Sequence, residues 1–204
     1  MVVPSPPFPP GEPAPPSALG KNSLRQAALD ARKAYVATLS DAQRATLEAK
    51  LARRLTALCA TATVVGGYSA MGSEISVRMA MEEARAVGAI VAFPGFSDPA
   101  RPFRFLAGDP DESGPFGILQ PRKTAPAVEP DLVLVPLIAV DGHGTRLGRG
   151  KGHYDRALAR LRHSGCKLVG VGWSPQRLAG TIPADHWDVP LDGFASPDKL
   201  EWFR

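Results

Sequence analysis

The sequence is poor in the residues on which several classes of protein depend. Two cysteines in 204 residues are too few for a disulfide-stapled domain, and neither has the Cys and His spacing of a zinc site. No apolar run approaches the roughly 18 residues that a membrane span needs. No Ser-His-Asp or Cys-His constellation is visible. We therefore expect a soluble, cytoplasmic protein in which Cys59 and Cys166 are buried packing residues.

The charge balance favours an anionic partner without identifying it. The formal charge is +4, which suits a phosphate-bearing ligand and equally a weakly bound nucleic acid. Aromatic residues make up only 7%, and few of them lie near the basic residues, so stacking on bases has little support. We expect small-molecule substrates, no nucleic acid, no membrane partner and a monomer.

The first segment has the composition of a disordered tail. Eight of its first sixteen residues are proline and none is basic, so it is neither a signal peptide nor a helix. We predict a disordered Pro-rich tail over residues 1–19, dispensable for activity, and a single domain over residues 20–204. The length of the second part suits one domain with a full hydrophobic core.

Strand and helix patterns then alternate along the chain. Apolar periodicity predicts helices at 23–39, 40–58, 74–88 and 154–165, and strands at 62–68, 89–94, 131–140 and 167–173. Ser40 and Gln43 form a possible capping box, and Gly88 and Gly165 are candidate helix ends. The region 95–130 is broken by Pro and Gly, with short strands possible at 103–106 and 116–119. This order predicts a Rossmann-like, three-layer α/β domain with a mainly parallel sheet flanked by helices.

A glycine-rich loop follows the strand that ends near Val140. It has glycines at 142, 144, 148, 150 and 152 and bears Arg146, Arg149 and Lys151. Backbone N–H groups turned to one point, with a helix N-terminus behind them, form an anion cradle, so the loop predicts phosphate binding. It matches neither the Walker nor the dinucleotide fingerprint. A solvated turn is the alternative.

Other candidate residues each have a structural alternative. Glu74 follows a strand and either binds a ligand or caps a helix, and Asp155 fits the dipole of the helix it begins. Asp188 could shape a turn. Lys21 and Arg25, one helical turn apart, could be a solvated basic face.

Taken together, these segments resemble the 5-formyltetrahydrofolate cyclo-ligase family. The matching pieces are KNSLR at 21–25, YSAMGSEIS at 68–76, DLVLVPLIAVDGHGTRLGRGKGHYDR at 131–156, GVGWSPQ at 170–176 and IPADHWDVPLDG at 182–193. This chain has GHYD at 152–155 where the family commonly has GYYD. The resemblance implies an enzyme that uses ATP and Mg²⁺ to convert 5-formyltetrahydrofolate into 5,10-methenyltetrahydrofolate, with residues 20–204 as its ATP- and folate-binding catalytic domain.

The resemblance also implies roles for individual residues. Those implied for ATP are Lys21, Asn22, Ser23, Leu24, Arg25, Arg146, Leu147, Gly148, Arg149, Gly150, Lys151, Gly152, His153 and Tyr154. Those implied for the folate are Ser69, Glu74, Arg149, Gly150, Lys151, Gly152 and His153. Arg149 and Lys151 would stabilise the transferring phosphoryl group, and Asp155 and Asp188 would hold Mg²⁺. A sugar-phosphate isomerase or transferase on a similar fold, and a basic nucleic-acid-binding module, remain as alternatives.

Overall fold

Helices and short strands alternate through the part of the chain that the structure, a computed structural model, describes: residues 20–98, 102–150 and 152–203. The helices are α1 (Lys21–Ala37), α2 (Asp41–Cys59), α3 (Arg78–Ala86) and α4 (His153–His163). The strands are β1 (Val64–Gly66), β2 (Ile90–Gly95), β3 (Arg104–Ala107), β4 (Glu112–Ser113), β5 (Leu119–Gln120), β6 (Ala127–Val128), β7 (Leu132–Pro136), β8 (Ala139–Val140), β9 (Arg146–Leu147), β10 (Lys167–Val171), β11 (Gly193–Ala195) and β12 (Leu200–Trp202). The predicted tail, residues 1–19, lies outside the described residues.

Eight strands form one sheet in the order β12-β11-β10-β7-β1-β2-β3-β6. The five strands from β11 to β2 are parallel, whereas β12, β3 and β6 pair antiparallel at the two edges. Numbered along the chain, the parallel strands have the order 2-1-3-4-5, which is that of the flavodoxin-like doubly wound sheet. The prediction of a mainly parallel α/β sheet is confirmed.

Helices cover both faces of this sheet. On one face, Leu55 of α2 and Met81 of α3 belong to a buried cluster with Val65 of β1. On the other face, Leu158 of α4 is buried in a cluster with Val133 of β7. Parallel strands carry near-continuous apolar runs because both of their faces are covered in this way. The predicted three-layer arrangement is therefore confirmed.

The two cysteines lie in different layers. Cys59, the last residue of α2, is buried in the cluster that contains Leu55, and Cys166 is buried in the cluster that contains Leu158. Burial raises the pKa of the Cys59 thiol to about 11 and that of Cys166 to about 12. Both residues are buried packing cysteines, as predicted.

The helix predicted at 74–88 begins later, at Arg78. The backbone before it is engaged by side chains from elsewhere: Arg44 donates to the Glu74 carbonyl, Glu48 accepts from Ser76 N, and the Tyr68 hydroxyl donates to the Ile75 carbonyl. These bonds replace the first turn of a helix. The ends of the predicted helices agree better, since the Ser40 and Gln43 capping box is present and Gly88 and Gly165 both have positive φ.

The single strand predicted at 131–140 is two strands, β7 and β8. Pro136 pairs with Val171 at the last position of the ladder, and the chain leaves the sheet after it. The next two carbonyls accept from side chains instead of from a strand. The Leu137 carbonyl accepts from Arg32 and Gln176, and the Ile138 carbonyl accepts from Gln176. Satisfying these buried acceptors allows the strand to break in the interior.

Buried Asp141 organises the first half of the glycine loop. Its Oδ1 accepts from the backbone N–H groups of His143 and Thr145, and its Oδ2 accepts from Ile182 N. The antiparallel pair β8 and β9 extends from this turn, and the Gly144 carbonyl accepts from Leu191 N. The loop is therefore tied to the segment around 182–191 before it reaches the basic residues.

Replacing Gly144 with alanine is expected to lower the free energy of unfolding by about 3 kcal/mol. Gly144 has a φ of +80°, and an added Cβ would lie 2.5 Å from the Leu191 carbonyl oxygen. Urea unfolding measures the loss. Gly165→Ala is the matched control, because Gly165 has a φ of +78° but an added Cβ would meet nothing within 4 Å. Gly165→Ala should lower the free energy of unfolding by only about 1 kcal/mol, because only the positive φ opposes the alanine. Equal losses in the two variants would contradict a clash with the Leu191 carbonyl.

None of the helices in the described residues is long and apolar enough to cross a membrane.

Candidate functional site

A cavity of about 560 Å³ opens at the carboxyl ends of β1 and β7. These neighbouring strands connect to helices on opposite faces, since β1 leads to α3 and β7 leads towards α4. Ligands of doubly wound sheets bind at this switch point. The segments 68–74 and 136–138 line the cavity from the sheet, and the glycine loop and α1 line it from the other side. We call it the switch-point cavity.

Glu74 is the carboxylate on the sheet side of this cavity. Its side chain is largely buried, and its Oε1 accepts from Arg149 at 2.9 Å from Nη2 and 3.3 Å from Nε. Its Oε2 accepts from the backbone N–H of Met71 at 2.9 Å. The glycine loop therefore reaches across the cavity and binds the segment after β1. This contact joins residues 75 positions apart in the sequence.

A second cation, Arg32 of α1, lies behind Glu74. Only 2% of Arg32 is exposed, and its Nη1 is 3.9 Å from the Glu74 carboxylate. The guanidinium also donates to the Ser73 hydroxyl and to the Leu137 carbonyl. Burial lowers the pKa of Arg32 below its ordinary value, although the nearby Glu74 opposes the shift. Glu74 is thus held between a buried arginine and an exposed one.

Sequence reasoning missed Arg32. A signal was present, because Arg32 lies eight residues after Leu24, the other buried residue of α1, and so falls on the buried side of the helix. An arginine on that side needs a buried partner, since an unpaired charge is expensive to bury. Glu74 and the two acceptors meet that need.

Lys21 at the start of α1 binds two carboxylates, Asp185 at 2.5 Å and Asp188 at 2.6 Å. Burial, which alone would lower the pKa of Lys21, is outweighed by these hydrogen bonds, so its pKa is raised. Burial alone would raise the pKa of Asp188, but the bonds from Lys21 and from Asp185 N hold it below the ordinary value. The cluster ties α1 to the C-terminal part of the chain.

Arg25 links α1 to the glycine loop. Its Nε donates to the Gly148 carbonyl at 2.7 Å, and its Nη1 donates to Asn22. Gly150 adopts a φ of +83°, and a Cβ there would lie 3.3 Å from the Arg25 guanidinium carbon. Glycine at 150 therefore allows the loop and the arginine to approach closely.

Arg146 and Asp155 form an ion pair at the base of the loop, with 2.6 Å between Arg146 Nη2 and Asp155 Oδ1. The Arg146 side chain is 6% exposed, and its guanidinium lies 5.6 Å from the ring centroid of Tyr154. Burial raises the pKa of the Tyr154 hydroxyl above its ordinary value, so the ring remains neutral. This group fixes the start of α4 against the loop.

The structure brings most of the predicted site residues to this one cavity. Those that line it are Asn22, Arg25, Ser69, Glu74, Arg146, Gly148, Arg149, Gly150, Gly152, His153, Tyr154 and Asp155. Within the described lining, three arginines face two carboxylates, so the cavity favours an anionic guest.

The remaining predicted residues lie elsewhere. Leu24 and Leu147 are buried in one small cluster, where their side chains support the loop from beneath. Lys21 and Ser23 flank the lining residue Asn22 in sequence but do not line the cavity themselves. Asp188 is not a lining residue either, although it is bound to Lys21. Lys151 lies outside the described residues.

The structure adds apolar walls that the sequence did not indicate. Tyr68, Phe96, Ile118 and Pro136 line the cavity, and the Phe96 ring lies 5.7 Å from that of His153. Ser69 donates to the Leu119 carbonyl, which brings the irregular segment near 118 to the site. Mostly apolar walls with a few polar groups are typical of small-molecule sites.

Carboxylates that could bind a metal are present but not clustered. No group of three His, Cys, Asp or Glu side chains suited to a metal occurs in residues 20–98, 102–150 and 152–203. Asp155 is bound by Arg146, and Asp188 is bound by Lys21. A hard cation such as Mg²⁺ needs only one or two protein carboxylates when phosphates supply other ligands, so the donor chemistry of Asp155 and Asp188 fits it.

Comparison with known proteins gives one consistent result. A sequence profile of the 5-formyltetrahydrofolate cyclo-ligase family matches residues 18–197. The 5-formyltetrahydrofolate cyclo-ligase of Haemophilus influenzae is 37% identical over 92 residues, 43% of this chain and 49% of that protein. That of Escherichia coli K12 is 38% identical over 85 residues, 41% of this chain and 46% of that protein. The matched part of the chain thus spans about half the length of these two relatives.

Solved structures agree with the sequence matches. The 5,10-methenyltetrahydrofolate synthetase of Aquifex aeolicus superposes with a TM-score of 0.75 and 29% identity, over 90% of this chain and 93% of that one. The synthetase of Mycoplasma pneumoniae shares the fold, with a TM-score of 0.69 and 24% identity over 88% of this chain and 99% of that one. The profile match extends over most of the chain and includes the switch-point cavity. On this evidence, the chain belongs to the 5-formyltetrahydrofolate cyclo-ligase family.

Proposed function

We propose that this protein is a 5-formyltetrahydrofolate cyclo-ligase, which uses ATP and Mg²⁺ to form 5,10-methenyltetrahydrofolate, ADP and phosphate. The observation that carries the proposal is the contact between Arg149 and Glu74, 2.9 Å apart in the switch-point cavity. A cation suited to phosphate and a carboxylate suited to a pterin meet there. A ligase that transfers a phosphoryl group to a folate needs these two groups side by side.

The chemistry explains why no protein nucleophile is needed. A formamide oxygen is a weak nucleophile and a poor leaving group. In the proposed route the formyl oxygen on N5 attacks the γ-phosphorus and ADP leaves, so the oxygen becomes part of a phosphate ester. N10 then attacks the formyl carbon and loses its proton, and the phosphate departs with the former formyl oxygen. The substrate supplies both nucleophiles, and the protein contributes alignment and charge stabilisation.

The nucleotide phosphates would bind on the side of the glycine loop and α1. Guanidinium groups are supplied there by Arg25, Arg146 and Arg149. One guanidinium group can bind two phosphate oxygens at once. The loop glycines and the start of α4 supply backbone N–H groups. Lys21 and Lys151 would add further positive charge. Arg149 and Lys151 would neutralise the charge that spreads over the transferring phosphoryl group.

The folate would bind on the sheet side. The pterin edge presents an amino group and a ring N–H as adjacent donors, which a carboxylate such as Glu74 accepts as a pair. Ser69 lines the same wall, and Phe96 and Tyr68 offer flat apolar surface to the ring system. Because Arg149 binds Glu74 in the described structure, its movement towards the phosphates would free the carboxylate for the pterin.

Mg²⁺ would be held by Asp155 and Asp188 together with phosphate oxygens. When bound, the ion neutralises negative charge on the phosphates. Both carboxylates are now paired with cations, Asp155 with Arg146 and Asp188 with Lys21. Those cations would turn to the phosphates when the nucleotide arrives, which leaves the carboxylates available to the metal.

Asp155→Asn and Asp188→Asn are each expected to raise the Mg²⁺ concentration at half-maximal rate by about tenfold or more, while folate binding without ATP stays the same. Initial rates measured against Mg²⁺ test this. Asp109→Asn is the control, because Asp109 is exposed and is also paired with an arginine, Arg85. Earlier melting with an unshifted Mg²⁺ titration would mean that the two aspartates are structural.

The proposed activity itself has a direct test. The purified protein is incubated with 5-formyltetrahydrofolate, ATP and Mg²⁺, and methenyl absorbance is followed together with phosphate release. We expect one phosphate for each methenyl product, and no product when ATP is omitted. Binding of the nucleotide without any methenyl product would refute the proposal and favour another phosphoryl-handling enzyme on this fold.

A further inference from the structure

A second cavity lies beside the switch-point cavity and shares Phe96 with it. Its volume is about 630 Å³, and four cations line it: Arg104 of β3, Lys123, and Arg156 and Arg160 of α4. No carboxylate is among its lining residues in the described part of the chain. We call this cavity, defined by these four residues, the basic groove.

The charge of the basic groove is not a consequence of composition. The chain has 24 basic and 20 acidic residues, so a random surface patch would contain both signs. Arg160 binds Glu129, and Arg156 contacts the His153 ring. Within residues 20–98, 102–150 and 152–203, however, Arg104 and Lys123 form no ion pair. Cations that line a cavity, with no carboxylate among its described lining residues, raise the local concentration of anions.

The proposed reaction needs more space than the switch-point cavity provides. A cavity of about 560 Å³ is of the size that encloses one drug-sized ligand. The reaction brings two such ligands together, ATP and a folate. One end of at least one of them must therefore extend beyond the cavity, and the shared Phe96 wall makes the basic groove an adjacent space for that extension.

The chemistry of the two ligands decides which end extends. The γ-phosphate must meet the formyl group on N5, so the phosphates and the pterin lie together in the switch-point cavity. The other end of ATP is a nucleoside without charge. The other end of the folate is a glutamate with two carboxylates. Only this glutamate matches a groove whose described lining has four cations and no carboxylate.

We infer that the basic groove binds the glutamate carboxylates of the folate, with Arg104 and Lys123 as residues that determine affinity for that end of the substrate. The inference rests on the proposed function, since it takes 5-formyltetrahydrofolate as the ligand of the neighbouring cavity. It assigns the groove to substrate affinity and gives it no part in phosphoryl transfer. The turnover number should therefore be independent of these two side chains.

The test pairs a change in the protein with a change in the ligand. The ligands are 5-formyltetrahydrofolate and an analogue with the same pterin and aminobenzoyl group but a neutral amide in place of the glutamate. The variant is the double substitution Arg104→Gln and Lys123→Gln. Dissociation constants are measured by direct titration, and KM and kcat are measured with saturating ATP.

Wild type should bind the analogue about tenfold more weakly than 5-formyltetrahydrofolate, the factor expected from two exposed ion pairs of about threefold each. The double variant should bind 5-formyltetrahydrofolate about tenfold more weakly than wild type does, and the analogue within twofold of wild type. The KM for ATP and the kcat should not change. The wild-type preference for the glutamate ligand should also shrink as salt is raised, a result that needs no variant.

The control is the double substitution Lys33→Gln and Arg78→Gln, which removes the same charge from exposed ion pairs away from the groove. It should bind both ligands as wild type does. The inference would be overturned by equal affinity of wild type for the two ligands, or by an unchanged preference for the glutamate ligand in the double variant of the groove. Neither result would contradict the proposed function. A rise in the KM for ATP would also overturn it, by assigning the groove to the nucleotide. Failure of wild type to bind or convert either folate would refute the proposed function, and this inference with it.

Discussion

Replacing Arg149 with glutamine is expected to lower turnover by about a hundredfold. The reason is that removing one preorganised cation that stabilises the transferring phosphoryl group costs roughly 3 kcal/mol in the transition state. The side chain is 53% exposed, and its partner in the described structure is Glu74. Because the Arg149 side chain is more than half exposed and Glu74 keeps Arg32 as a second cation, the free energy of unfolding should fall by at most about 1 kcal/mol. Initial rates at saturating ATP and folate, with a urea unfolding curve, measure the two quantities.

Arg78→Gln is the matched control for Arg149→Gln. Arg78 is also an exposed arginine bound to a glutamate, Glu82, but it lies on α3 away from the switch-point cavity. It should keep wild-type turnover and stability. If Arg149→Gln keeps its turnover as well, Arg149 takes no part in phosphoryl transfer. If the loss of turnover in Arg149→Gln is fully explained by a smaller fraction of folded protein, the role of Arg149 is structural.

Arg32→Leu is expected to lower the free energy of unfolding by about 3 kcal/mol, because the buried Glu74 carboxylate then keeps only the exposed cation Arg149 and loses the buried one. Arg32 is 2% exposed and donates to the Ser73 hydroxyl and the Leu137 carbonyl as well as facing Glu74. The KM for 5-formyltetrahydrofolate should rise too, since the carboxylate loses its fixed support. Urea unfolding and steady-state kinetics measure the two effects.

Arg32→Lys separates charge from geometry. Lysine keeps the positive charge but not the planar set of donors, so we expect part of the stability to return and the KM to remain raised. The double variant Arg32→Leu and Glu74→Leu should be more stable than Arg32→Leu alone, because it also removes the buried carboxylate that Arg32 faces. If the double variant loses the sum of the two single effects, Arg32 and Glu74 do not interact.

Local sequence signals predicted the elements whose geometry is set by near neighbours. Ser40 and Gln43 cap α2 through bonds that span three residues, and Gly88 and Gly165 end their helices through a local positive φ. The apolar run at 167–173 predicted β10 because both of its faces are buried. In each of these cases the decisive contact lies within a few residues, or the pattern is long enough to recognise.

Elements that depend on distant partners could not be predicted in this way. Three of the strands are too short to show a hydrophobic period: β6 has two residues, and β11 and β12 have three each. They form because they pair with other strands. The break after Pro136 depends on side chains of Arg32 and Gln176, which satisfy the freed carbonyls. Sequence alone does not show which side chains will reach a given backbone.

The same limit applies to the site. The glycine loop predicted a phosphate cradle from its own composition. Glu74 was a candidate from its position after a strand, and the resemblance supplied its role in folate binding. None of these signals predicted that Arg149 would bind Glu74, that Arg32 would lie behind it, or that cations from β3 and α4 would gather beside Phe96. Each of these contacts joins segments that are far apart in sequence, so only the assembled sheet brings them together.

The two buried thiols can be used to measure how often the packing around them opens. Cys59 and Cys166 lie on opposite faces of the sheet, and with pKa values raised to about 11 and 12 almost none of either is thiolate at neutral pH. Alkylating reagents will therefore modify them only when the packing around them opens. The labelling rate of each cysteine, resolved by mass spectrometry, would report how often its own layer separates from the sheet. Cysteines introduced at the surface could be labelled selectively without removal of the native pair.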